Sequence, residues 1–138
     1  MPRHRLARRH LTVAAGWLAV GLGAAHTVVA SLDDRRTLTG AWADGWWDTV
    51  RLAEPTTPSE AERTTVLWRT LGSFGAPMLA LGSLVLWSER RNGRVPAGIG
   101  WVLLAWGVPF TAMMPRSPSW TVPVIGALLV AGDREPRS

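Results

Sequence analysis

Apolar and polar residues are segregated along this chain rather than interleaved. The first apolar run, Leu11 to Leu32, holds no Asp, Glu, Arg or Lys, and its one titratable group is His26. Its 22 residues, at about 1.5 Å of helical rise each, reach about 33 Å, enough for a bilayer core of about 30 Å. A second run, Val66 to Ser88, is interrupted only by Arg69. A third, Val95 to Met114, has 20 residues and no charge. The fourth segment, 117–132, has an apolar core from Ser119 to Gly132 that includes Pro123. That is short for a crossing, but snorkelling by Arg116 and Arg134 and local bilayer thinning would let it cross. The pattern predicts an all-α fold: a four-transmembrane-helix bundle in one domain, 1–138, with spans near 11–32, 66–88, 95–114 and 117–132.

Local signals refine these elements. Ala15, Ala19, Gly23 and Thr27 recur every fourth residue, a small-residue stripe that admits a neighbouring helix. Gly72, Ala76 and Ala80 make a second stripe. Ser59 followed by Glu62 matches a capping box, so the second helix is expected to begin near Glu60 and run to Ser88 with a kink at Pro77. The outer loop, 33–65, contains Gly40 to Ala53, where Trp42, Trp46 and Val50 fall at i, i+4 and i+8 with Trp47 beside them. Asp44, Asp48 and Arg51 fall on the other side. This predicts a short amphipathic surface helix in the first extracytoplasmic loop, lying flat where indoles are favoured. Pro55 and Pro58 end it.

Charge sets the expected orientation. All 15 basic residues are Arg, none is Lys, Tyr is absent and Trp occurs nine times, a bias that fits a GC-rich coding sequence. The net charge of +5 could suit nucleic acid, but the arginines stand at the ends of the apolar runs, so no nucleic-acid partner is expected. The N-terminal lead, the 89–94 turn and the tail together hold nine arginines, against five in the 33–65 loop and at Arg116. The positive-inside rule then gives a multi-pass plasma-membrane protein with cytoplasmic N- and C-termini and an external long loop. The basic lead also reads as a secretory signal, with cleavage after Ala30 and before Ser31. The run exceeds the 7–15 residues of a signal core and carries a packing stripe, so retention as a membrane helix is expected. Polar ends and the polar loop hold the mean hydropathy to +0.10.

Candidate chemistry is sparse. There is no cysteine, hence no thiolate site or disulfide. His4 and His10 are too far apart for an i, i+4 metal pair, and no phosphate loop, nucleophile elbow or HExxH occurs, so neither a metal nor a cofactor is expected. Two groups lie inside or near the apolar layer, His26 and Arg69, and opposed helices would bring them to the same outer leaflet. An ionisable group there points to a site. The candidate outer-leaflet pocket is His26, Arg69, Trp46, Trp47, Trp68, Met113 and Met114. A structural reading stands beside it: His26 as interhelical glue, and Arg69 snorkelling to Asp33, Asp34 or Glu62. The expected function is non-enzymatic: binding a lipid, a small lipophile or a partner helix at the outer leaflet. The alternative is a small proton-coupled carrier component with His26 titrating, and an enzyme acting on a lipophilic substrate ranks third. Expected partners are the bilayer, a lipophilic ligand or membrane protein, and a second copy of the chain.

Gly21-Leu-Gly-Ala-Ala-His26 in the first span, Trp68 with Gly72 and Gly75 opening the second, and Met114-Pro-Arg-Ser117 with Trp120 before the fourth form a pattern. With it the chain resembles a bacterial family of small four-helix integral membrane proteins of unknown function. The resemblance covers most of the chain. It implies a fold and a location, not a reaction.

Overall fold

Most of each apolar run is helical. The computed structural model describes residues 2–44 and 55–133. Among the described residues there are six α-helices and no strand: α1 Pro2–Asp33, α2 Arg35–Asp44, α3 Pro58–Arg69, α4 Gly75–Asn92, α5 Ala97–Met113 and α6 Thr121–Asp133. A 3-10 turn, Pro118–Trp120, leads into α6. The chain packs as two units, Gly23–Pro77 and the combination of Met1–Leu22 with Met78–Ser138.

In the larger unit, helices meet through small residues. A methyl group at Gly82 of α4 would stand 2.7 Å from the Gly16 carbonyl oxygen of α1. One at Gly100 of α5 would lie 2.5 Å from the Gly126 oxygen of α6, and one at Gly126 2.7 Å from the Gly100 oxygen. These backbones are in contact, which only a missing side chain allows. Ala15 and Ala19 are buried on α1, while Val85, Val122, Ile125 and Leu129 fill the remaining space. The large apolar side chains mostly face outward. Trp17, Leu18, Trp87, Trp101, Trp106, Val108 and Trp120 are exposed, and Val102 is 68% exposed, against 0% for Ala15.

The connections are fixed by specific groups. Gly93 ends α4 at φ +64°, its N–H donating to the Glu89 carbonyl at 2.9 Å. This left-handed stop is one glycine adopts without a Cβ penalty. Asp133, the last residue of α6, accepts from Arg94 Nε at 2.6 Å and from the Ala97 N–H at 2.8 Å. It therefore caps the start of α5, which has no side-chain cap of its own at Pro96. The Arg94 guanidinium, donating to the carboxylate, holds Asp133 below the ordinary carboxylate range, helped by the Ala97 N–H and opposed by desolvation.

The second apolar run does not form the single helix expected from Glu60 to Ser88. It forms α3 and α4, separated at Thr70–Phe74. Pro77 is the reason: its ring would strike the carbonyl of Ser73 in a continuous helix. Placed third in α4, its missing N–H is harmless, because the first turn has no intrahelical acceptors to offer. The break is stitched by Thr70 Oγ1 donating to the Val66 carbonyl at 2.7 Å and Ser73 Oγ donating to the Thr70 carbonyl at 2.7 Å. The start of α3 also differs from expectation. Thr57, not Ser59, is the N-cap: its hydroxyl accepts from the Glu60 N–H, and Glu60 accepts from the Thr57 N–H. Pro58 at the first helical position favours this register. Part of the 33–65 stretch expected as loop is helical, because α2 starts directly after the turn at Asp34.

Candidate functional site

His26 and Arg69 both belong to the smaller unit, on different elements. His26 lies on the last third of α1 with its ring against Phe74, centroids 4.3 Å apart and planes tilted by 33°. A methyl group at Gly75 would come within 2.4 Å of Thr27 Oγ1 and 3.3 Å of His26 Cδ2, so the start of α4 presses on this face of α1. Thr27 donates to the Gly23 carbonyl at 2.8 Å and is thereby satisfied within its own helix. Among the described residues His26 Nε2 is not satisfied: it is buried and has no hydrogen-bond partner there.

Arg69, the last residue of α3, donates Nε to Asp34 Oδ2 at 2.7 Å and Nη2 to Asp34 Oδ1. This is the forked geometry in which a guanidinium fits a carboxylate. Asp34 is 9% exposed and sits at the turn between α1 and α2. A second tie, Thr37 Oγ1 to Glu62 Oε1 at 3.0 Å, joins α2 to α3. Between them opens a polar groove of about 580 Å³, lined by Asp33, Asp34, Arg35, Arg36 and Glu62 among others. Arg69 is thus held by Asp34, one of the three acids to which it could snorkel.

The other residues of the expected pocket are distributed as follows. Trp68, next to Arg69, is exposed. Trp42 on α2 is 79% exposed. Trp46 and Trp47 lie outside the described residues, as does most of the expected amphipathic helix around them. Met113 and Met114, at the end of α5, are exposed and belong to the larger unit. Phe74 is the contact that sequence reasoning missed. The small-residue stripe of Gly72, Ala76 and Ala80 around it marked a close approach, but not what the aromatic ring would meet. Asp133 as the cap of α5 was equally unforeseen, since its partners stand far away in sequence. Among the described residues no group of three or more His, Asp or Glu side chains is placed to hold a metal ion.

Comparison with known protein families gives a match. The family described as "Family of unknown function (DUF6463)" matches residues 10–136. No curated protein and no solved structure matches the chain.

Proposed function

The chain belongs to DUF6463, a family of unknown function, and from that premise we propose a non-enzymatic bacterial integral membrane protein that binds a lipid or small lipophile beside His26. The observation that carries the membrane reading is the inverted distribution of side chains in the larger unit. Glycine and alanine stand at the closest helix contacts, with Val85, Val122, Ile125 and Leu129 beside them, while many Trp, Val and Leu side chains face outward, which water penalises and lipid accepts. Among the described residues one helix, over Leu6–Asp33, is long and apolar enough to cross a membrane by length and composition, and 28% of its apolar window is buried. A soluble core helix would be mostly covered. Its packing of Gly16 on Val85 and Leu86 supports retention rather than cleavage as a signal.

In this reading α1, α4, α5 and α6 are the four spans. The 17 residues of α5 reach about 26 Å, short of a full core, and its neighbouring turns and a thinned bilayer make up the rest. Both termini are cytoplasmic, in the plasma membrane, and α2 and α3 lie outside. The binding proposal rests on His26 Nε2. A buried, unpaired ring nitrogen costs about 1–3 kcal/mol, and a hydroxyl or amide on a lipophilic ligand would remove that cost. Arg69 serves as the clamp on Asp34 rather than as a ligand-binding group.

Native mass spectrometry of the gently purified protein tests this. The wild-type chain is expected to carry a defined adduct, and His26→Leu to lose it while melting normally. An adduct retained by a folded His26→Leu protein would sink the His26 site. A flux that depends on pH and vanishes in His26→Leu would favour the proton-coupled carrier.

A further inference from the structure

The larger unit holds a second polar recess, remote in sequence from His26. It measures about 600 Å³ and is lined by Arg8 and Arg9 of α1, Glu89 and Arg90 of α4, Arg94 of the following turn and Asp133 of α6. The volume falls in the range of small-molecule sites, about 300–1,000 Å³. Close packing brings these residues together: a methyl group at Gly132 would stand 2.5 Å from Thr12 Oγ1, one turn along α1 from Arg8.

We infer that this recess binds a phosphomonoester, either as the headgroup of a lipid or as a free small molecule. The charge count decides the class. Among the described residues four guanidiniums face two carboxylates. Asp133 is committed to Arg94 at 2.6 Å. Glu89, 6% exposed, offsets one of the remaining three arginines and leaves two positive charges. A phosphomonoester carries about −1.5 to −2 at pH 7, which balances them; a phosphodiester would not. Guanidinium forks also match phosphate oxygens in pairs. A positive-inside bias accounts for arginines at this end of the helices, but it does not require them to line one recess together with a buried carboxylate. Arg91 shows the contrast. It neighbours Arg90, yet it stacks over Trp87 at 5.4 Å and does not line the recess.

The test is titration calorimetry on the full chain in neutral detergent, with glycerol 3-phosphate, dihexanoyl phosphatidic acid and dihexanoyl phosphatidylcholine as probes. A phosphomonoester should bind one per chain. Arg90→Gln should weaken it about tenfold, as expected for one charge-assisted contact, and Arg8→Gln likewise. Glu89→Gln should tighten it, because a competing negative charge is gone. Arg91→Gln removes the same charge from the same helix end and should leave affinity unchanged. Phosphatidic acid binding far more tightly than glycerol 3-phosphate identifies a lipid headgroup; equal affinities identify a soluble phosphomonoester. The proposal is overturned if neither phosphomonoester binds, if phosphatidylcholine binds as well, or if Arg91→Gln weakens binding as much as Arg90→Gln.

Discussion

Asp133 joins three segments with one carboxylate: it ends α6, pairs with Arg94 and caps α5 at Ala97. Its folded-state pKa is depressed, so its contribution to stability is fully present above the ordinary carboxylate value of about 3.9. It is lost as pH falls from there through the depressed folded value. Thermal melts between pH 7 and pH 3 should show that loss in the wild type. Asp133→Asn should be less stable by about 1 kcal/mol at pH 7, with a shallower acid slope. His26 behaves differently. Replacing a buried, unpaired nitrogen with carbon removes a desolvation cost, so His26→Leu should melt no lower than the wild type in the absence of ligand. A marked drop would show that the ring nitrogen has a partner in the protein. At this scale the sequence was only partly informative. His26 and Arg69 stood out as ionisable groups in apolar runs, but Phe74 and Asp133 act through contacts that no local pattern encodes.

Helix positions were legible because apolar periodicity and length are local; helix ends were not. Ser59 and Thr57 both precede a glutamate by three residues, and only the placement of Pro58 favours the earlier cap. Thr57→Ala should therefore destabilise by about 1 kcal/mol, while Ser59→Ala should cost little; chemical denaturation of the two variants distinguishes the registers. The split of the second run followed from Pro77, whose effect was foreseen as a kink but is a full interruption. The helix contacts make a stronger prediction. A side chain at Gly100 meets the backbone oxygen of Gly126 and the backbone nitrogen of Val130 as well as the Val130 side chain, so Gly100→Val should cost about 2–3 kcal/mol. Gly98→Val, where nothing stands within 4 Å, should be nearly neutral by comparison.

At the scale of the molecule, the central claim is that α1, α4, α5 and α6 cross a membrane with both termini inside. Small residues at helix contacts and large apolar residues facing outward support it. The absence of cysteine makes single-cysteine labelling clean, and the three turns between proposed spans give the decisive positions. Intact cells bearing a cysteine at Ser59, Asn92 or Ser117 would be treated with an impermeant maleimide before and after permeabilisation. Labelling of Ser59→Cys and Ser117→Cys from outside, with Asn92→Cys reactive only after permeabilisation, is the predicted result. Labelling of Asn92→Cys and Ser117→Cys from the same side would contradict it, because α5 could not then cross.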